Sequence, residues 1–183
     1  MTWIDLVVIL ILVAYGVGGF FSGVIRRLIG FVALYAGLFA ATNMGLQAGG
    51  ILQTSSNFET PDARIYGFFG ILFAVLLIVE VGTQIAHNQI QIPALALNRT
   101  FGVTVGLITG LVLSVVFVYE LGAAANPFGG SQLDPKQTQI RDAYNHSHVV
   151  VPLVKKIQQP FITLLQPALP NDPQIYFSGT VIQ

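Results

Sequence analysis

Four polar residues near the end of one apolar segment have the types and spacing of a site that handles protons or ions. They are Glu80, Thr83, Gln84 and His87, at positions i, i+3, i+4 and i+7, which places them on one face of a helix. A carboxylate inside a membrane is costly, so its first interpretation is functional. No apolar segment has a central Lys or Arg, however, so we expect Glu80 to have no basic partner. We favour a structural or interfacial carboxyl and keep proton or ion handling as the alternative.

A second pattern is a run of small residues at every fourth position. It consists of Gly102, Gly106 and Gly110, continued by Ser114. Small residues at this spacing open a groove that lets another backbone approach closely. We favour packing within the chain over self-association or docking of another membrane protein. Weaker versions of the pattern occur at Ala33, Gly37 and Ala41, and at Gly19 and Gly23.

No catalytic or metal-binding signature accompanies these patterns. The chain has no G-x-S-x-G, H-E-x-x-H or phosphate-loop sequence and no Cys. His146 and His148 form an isolated H-x-H in a polar stretch, without an acidic residue at metal-ligand spacing. We therefore predict that the protein is not an enzyme and holds neither a metal nor a cofactor.

Composition identifies the surroundings of the chain. Only 9% of its 183 residues are charged and 54% are hydrophobic, against about 25% charged in a soluble domain. This excludes a soluble domain and a disordered chain. The net charge of zero gives no general attraction to nucleic acid. The composition indicates an integral membrane protein whose first partner is the lipid bilayer.

Four segments are long and apolar enough to cross the hydrocarbon core. The sequence predicts an all-α, integral membrane four-helix bundle in residues 1–125, followed by a tail in residues 126–183. The predicted spans are about 3–21, 28–44, 65–86 and 101–121. The first lacks a basic start and a cleavage site, so we interpret it as a span and not as a signal peptide. Residues 53–62 are predicted to form an aqueous loop.

Short loops rich in Lys and Arg usually lie in the cytoplasm. The first loop has Arg26 and Arg27 and the third has Arg99, whereas Arg64 in the second is offset by nearby acids. The first and third loops are therefore predicted to be cytoplasmic. With four spans, both termini then lie on the extracytoplasmic side.

The tail contains one amphipathic stretch. Apolar residues recur every three or four positions over about 150–168, with Lys155 and Lys156 on another face, which predicts an amphipathic helix. Pro160 should kink or split this helix. The helix is expected either to lie in the membrane interface or to cover the end of the bundle.

The order of these features resembles the colicin V production protein (CvpA) family. The resemblance rests on Trp3-Ile-Asp, then Gly-Gly-Phe-Phe-Ser-Gly-Val-Ile-Arg-Arg-Leu at 18–28, Asn-Arg-Thr-Phe-Gly at 98–102 with the glycine run, and the tail stretch 150–161. By this resemblance, Arg26 or Arg27 matches the family's arginine after the first span, and Arg99 matches that of its Asp-Arg pair. The chain differs at Asn98, where Asp is usual, and at Thr109, where a basic residue is frequent.

The resemblance implies a multi-pass bacterial inner-membrane protein linked to toxin production or export and to envelope stress. Our first hypothesis is a non-enzymatic scaffold or accessory subunit that contacts another membrane protein or a second copy of itself. The alternative is a small channel or ion-coupled transporter that uses the face of Glu80, Thr83, Gln84 and His87.

Overall fold

Helices make up all regular secondary structure of the residues that the computed structural model describes, which are 1–56, 58–87, 95–128 and 133–178. The all-α prediction is thus confirmed. Three helices are long and apolar enough to cross a membrane: α1 (Trp3–Ser56), α2 (Thr60–His87) and α3 (Leu95–Ala125). The tail contains α4 (Pro135–Asn145), α5 (Val150–Leu165), a 3-10 turn (Gln166–Ala168) and α6 (Pro173–Phe177).

The predicted first and second spans both lie within α1, which folds back on itself at Gly23. Gly23 has φ 73°, outside the helical region. The rings of Trp3 and Phe117 lie 6.4 Å apart, while Leu34 lines a cavity with Val112. Trp3 and Leu34 would be about 45 Å apart on a straight helix, whereas Val112 and Phe117 are separated by only about 7.5 Å. Only a reversal of direction lets residues 3–22 and 24–56 contact the same part of α3.

The loop predicted at residues 53–62 is shorter in the structure. α1 continues to Ser56 and α2 begins at Thr60. In the last turns of α1, Thr54 and Ser55 donate their hydroxyls to the Ile51 carbonyl, at 3.0 and 2.7 Å. These local bonds to the preceding turn accommodate polar side chains within the helix. Thr60 starts α2 with Pro61 directly after it, a favourable position for proline.

α3 is the most enclosed of the three long helices. In its most apolar stretch 61% of residues are buried, against 22% in α1 and in α2. Residues 3–22 of α1 pack along one side of it, and the tail helices contact its C-terminal end. The remaining apolar surface of α1 and α2 points outward, as expected for helices in contact with lipid.

The second part of α1 packs closely on α2 through glycines. A Cβ on Gly49 would lie 2.8 Å from the Ala63 carbonyl oxygen, and one on Gly45 would lie 3.1 Å from the Phe68 Cα. Gly67 of α2 faces the same two glycines. Small residues thus let the two helix backbones approach closely, as the more regular glycine run does in α3.

The tail is docked on the end of the bundle where α1 begins. Ser147 donates a hydrogen bond to Asp5 at 2.5 Å, and Thr42 donates to the Ala168 carbonyl at 2.8 Å. Lys136 forms an ion pair with Asp62 at 3.1 Å. These contacts connect α4, α5 and the 3-10 turn to α1 and α2.

Within the tail, α5 continues through Pro160 without a break, so the predicted split at this residue was wrong. Pro160 is exposed, and the lost N–H bond costs one hydrogen bond of a helix that is held by packing elsewhere. The buried side of α5 is formed by Val150, Val151, Val154 and Leu165. Leu153 and Leu164 are exposed instead, at 58% and 67%.

Candidate functional site at the turn of α1

The turn of α1 is built around Gly23 and a side chain from α3. With φ 73°, Gly23 has a backbone conformation that disfavours any residue with a Cβ. The next residue, Val24, donates its backbone N–H to the Asn98 carboxamide oxygen at 2.9 Å. Asn98 thus caps the first turn of residues 24–56, although it lies 74 residues away in the chain.

Arg27 follows Gly23, and its side chain points back to the part of α1 that precedes Gly23. Its Nε donates to the Ser22 hydroxyl at 2.8 Å, and its guanidinium lies 5.6 Å from the centre of the Tyr15 ring. Gly18 makes room, since a Cβ there would lie 2.5 Å from Arg27 Nη2. The Arg27 side chain is only 7% exposed. A buried cation needs such partners and a counterion.

The counterion is Glu80 of α2, and it is shared with Arg26. Glu80 Oε1 lies 2.7 Å from Arg26 Nη2 and 3.2 Å from Arg27 Nη2. Arg26 also donates to the Glu80 backbone carbonyl at 3.0 Å. Together, Arg26, Arg27 and Glu80 form what we call the Arg–Glu cluster, which ties the turn of α1 to the end of α2.

The expectation that Glu80 has no basic partner was wrong. It considered only the centres of the apolar segments, whereas the partners come from the turn. The sequence contained a usable signal, because the predicted topology puts the first loop and the end of the third span on the same side of the membrane. The charges of Arg26 and Arg27 exceed that of Glu80 by one, so the cluster keeps one net positive charge.

The rest of the predicted polar face surrounds Glu80 only in part. Thr83 donates its hydroxyl to the Glu80 carbonyl at 3.0 Å, and Gln84 Oε1 lies 3.5 Å from Arg26 Nη2. The side chain of His87 lies outside the described part of the chain. Thr83 therefore bonds only within its own helix, and Gln84 contacts the Arg–Glu cluster from outside.

Arg99, the third basic residue carried over from the resemblance, lies at the same turn but not in the cluster. Its guanidinium lies 5.1 Å from the centre of the Phe20 ring, a cation–π arrangement. Asn98 and Arg99 thus hold opposite sides of the break at Gly23, one by capping Val24 and one by stacking on Phe20. Asn supplies the same oxygen acceptor that an Asp would supply at this position.

The arrangement is suited to holding structure and charge. The Glu80 carboxylate is bound by two guanidinium groups from α1, and these charge-assisted hydrogen bonds fix the position of the turn relative to α2. Within the described ranges, no group of three His, Asp or Glu side chains is placed to hold a metal ion.

We expect Glu80→Ala to lower the free energy of unfolding by about 2 kcal/mol. Breaking a buried pair costs about 3–5 kcal/mol, and Glu80 is partly exposed, at 39%, which reduces the loss. Glu80→Gln keeps an acceptor oxygen and should lose less. Thermal unfolding in mild detergent measures both variants. Glu59→Ala is the control, since Glu59 is exposed and forms no ion pair with the described residues; equal stability of Glu80→Ala and Glu59→Ala would contradict the expectation.

The predicted groove of α3 is filled by α1 itself. A Cβ on Gly102 would clash with the Gly19 carbonyl, and one on Gly106 would clash with the Tyr15 carbonyl. A Cβ on Gly110 would lie 3.0 Å from the Tyr15 Cβ. Ser114 is buried and donates to the Gly110 carbonyl at 2.7 Å. The run is therefore used for packing within the chain.

Glu120 is a buried carboxyl near the C-terminal end of α3. It lies about five helical turns after Gly102, which predicts that it shares the face of that glycine and points toward a neighbouring helix. It is 0% exposed, and neither carboxyl oxygen has a hydrogen-bond partner among the described residues. The apolar pattern of α3 continues past it to Ala125, and the tail covers that end of the helix. The burial of Glu120 thus agrees with the face predicted from the sequence, and the docked tail covers the same end of α3.

We expect Glu120→Leu to raise the free energy of unfolding by about 1–3 kcal/mol, because an unsatisfied buried polar group carries roughly this penalty. Leu has a similar size and is apolar, like the buried residues of α3 around this position. Glu120→Gln, which stays polar, should not stabilise the protein. Chemical or thermal unfolding in detergent compares the three forms, and a less stable Glu120→Leu would show that the carboxyl has a stabilising partner.

Comparison with known proteins agrees with the resemblance of the motifs. The family described as colicin V production protein matches residues 4–157, which is most of the chain. The match includes α1 to α4, the Arg–Glu cluster and the first part of α5. No curated protein and no solved structure matches this chain. The protein, with its three long apolar helices, is thus a membrane protein that belongs to the colicin V production protein family.

Proposed function

We propose that this protein is a non-enzymatic accessory or scaffold subunit of a bacterial inner-membrane assembly linked to toxin production or export, or to envelope stress. Family membership supports the setting. The observation that carries the scaffold role is the Arg–Glu cluster: the single carboxylate of the polar face is held by two arginines at 2.7 and 3.2 Å. In this proposal, the charges at the turn of α1 hold α1 and α2 together.

The partner surface in this proposal is the outward apolar side of α1 and α2. The glycine groove of α3 is already occupied, so it offers no docking site. Outward side chains of α2 are instead large and apolar, with Leu77 66% and Ile78 67% exposed. A partner helix or a second copy would bury part of this side, while lipid covers the rest.

A photo-reactive amino acid at Leu77 tests this proposal in native membranes. We expect a crosslinked protein band that is absent when the same group replaces the buried Leu38. A further probe at Leu10 examines the outward side of α1. Crosslinks to lipid alone from both outward positions, together with a monomer in mild detergent, would overturn the scaffold role.

The alternative proposal is a small channel or ion-coupled transporter that uses Glu80, Thr83, Gln84 and His87. Its support is that Glu80 is 39% exposed and that the exposed Gln84 lies beside it. Reconstituted vesicles distinguish the two proposals. Flux that stops in Glu80→Gln, while the variant stays folded, favours transport; flux unaffected by Glu80→Gln eliminates that role for this face.

The proposal includes four spans, with both termini on the extracytoplasmic side. The reversal of α1 at Gly23 supports two spans within that helix. We expect a single Cys at His148, which is exposed in the tail, to react with an impermeant reagent from outside intact cells. A Cys at the exposed Gln84 should react only after the membrane is opened. The chain has no native Cys to interfere, and the opposite labelling pattern would reverse the topology.

A further inference from the structure

A polar cleft of about 470 Å³ lies where the C-terminal end of α3 meets the tail, away from the Arg–Glu cluster. Tyr119 of α3 and Tyr144 of α4 form part of its wall. Lys155 of α5 and Asp172, which precedes α6, line it as well. Ligand sites are commonly clefts of roughly 300–1,000 Å³ with a few convergent polar groups. The size and the lining therefore suit a small polar molecule.

The two charged side chains of this cleft have opposite signs and remain available. Lys155 Nζ lies 4.6 Å from the centre of the Tyr144 ring and forms no ion pair with any described residue. Asp172 accepts the Ile175 N–H at 3.1 Å through Oδ1, and it too has no ion pair in the part of the chain that the structure describes. Both residues are exposed. The cleft thus presents one cation and one anion that do not neutralise each other.

Neutral hydrogen-bonding groups complete the lining. Asn126 and Asn171 contribute carboxamides, which donate and accept. Burial raises the pKa of the Tyr144 phenol above its ordinary value, so this side chain stays a neutral hydroxyl at physiological pH. Tyr144 reaches its place because position 122 is glycine: a Cβ there would lie 2.6 Å from the Tyr144 hydroxyl oxygen.

We propose that this cleft binds a small zwitterion, with its anionic carboxylate or phosphate paired to Lys155 and its ammonium group paired to Asp172. Charge-assisted hydrogen bonds of this kind are short and strong. The carboxamides then fix the orientation of the ligand between the two charges. Such a molecule is either a soluble amino acid or short peptide, or the ethanolamine phosphate headgroup of a lipid, because the cleft lies at the end of a membrane-type helix.

The test uses the purified full chain in a nonionic detergent and two soluble probes. Alanyl-alanine represents the peptide source, and glycerophosphoethanolamine represents the lipid headgroup. We expect at least one probe to bind with a Kd below about 10 mM, measured by calorimetry or saturation-transfer NMR. Binding of only one probe identifies the source, and binding of both supports the shared zwitterion chemistry.

Charge-removing variants test the assignment of each residue. Lys155→Gln and Asp172→Asn should each weaken binding at least about tenfold, the effect of losing one charged hydrogen bond. Asn keeps the ability to cap α6, so the second variant removes the charge without removing the cap. The matched control is Lys156→Gln, since Lys156 is the exposed neighbour that does not line the cleft.

Blocked probes separate the two ends of the ligand. N-acetyl-alanyl-alanine lacks the ammonium group, so its weaker binding should not respond to Asp172→Asn. Alanyl-alanine amide lacks the carboxylate and should not respond to Lys155→Gln. The proposal is overturned if neither zwitterion binds up to about 10 mM, or if binding is the same in both charge variants and in the Lys156→Gln control.

Discussion

Gly102→Ala is expected to lower the free energy of unfolding by at least about 3 kcal/mol. The added methyl group would collide with the Gly19 carbonyl and would lie 2.9 Å from the Gly23 Cα. Overpacking usually costs about 1–3 kcal/mol when side chains can move aside. Here the obstacles are backbone atoms, so α1 has to move away from α3 and loses packing along its first part. The substitution should therefore cost more than a typical overpacked core.

The matched control is Gly82→Ala on α2. A Cβ at Gly82 has no atom within 4 Å, and alanine favours a helix by about 1 kcal/mol over glycine. This variant should be as stable as the original protein or slightly more stable. Unfolding in detergent, followed by circular dichroism, compares the two. Equal stability of Gly102→Ala and Gly82→Ala would mean that α1 does not fill the groove, which would make the groove available to another protein.

The second large effect is expected for Gly23→Ala. A residue with a Cβ loses about 1–2 kcal/mol in the left-handed region, and Gly23 has φ 73°. In addition, the new methyl group would lie 2.7 Å from the Asn98 carboxamide oxygen. That oxygen is the cap of Val24, so the clash also weakens the bond that starts the second part of α1. We expect a total loss of about 2–4 kcal/mol.

Two comparisons identify the cause. Gly30→Ala, in the same helix, meets no atom within 4 Å and should be neutral or stabilising. The double variant Gly23→Ala with Asn98→Ala should lose less than the sum of the single variants, because removing the carboxamide relieves the clash. If Gly23→Ala unfolds like Gly30→Ala, the turn of α1 is not at Gly23.

The Arg–Glu cluster and the turn depend on each other. Gly23 reverses the chain, and this reversal brings Arg26 and Arg27 to the end of α2, where Glu80 lies. Substitutions at Gly23 and at Glu80 should therefore couple in a double-mutant cycle, although the two residues belong to different helices. By contrast, neither substitution should alter ligand binding in the cleft, because the tail docks at the opposite end of α3.

Much about this protein followed from its sequence. The scarcity of charge and the long apolar segments predict a membrane protein, because so few charged residues cannot form a soluble surface around helices that are apolar on most sides. The glycine run predicts close packing for a similarly direct reason: residues four apart share one helix face whatever surrounds it. The ordered motifs around Arg26, Arg99 and Gly102 were sufficient to indicate the family, and the match over residues 4–157 confirmed it.

Only the tertiary structure decided which faces meet. The pairing of Glu80 with Arg26 and Arg27 joins residues more than 50 positions apart, and the docked tail covers the end of α3 where Glu120 is buried. The cleft of Lys155 and Asp172 likewise exists only where four separate segments converge. Periodicity describes one helix at a time, whereas these contacts depend on the turn at Gly23 and on the relative register of distant helices. The sequence by itself therefore determined the environment and the helices, and packing determined where their charges are used.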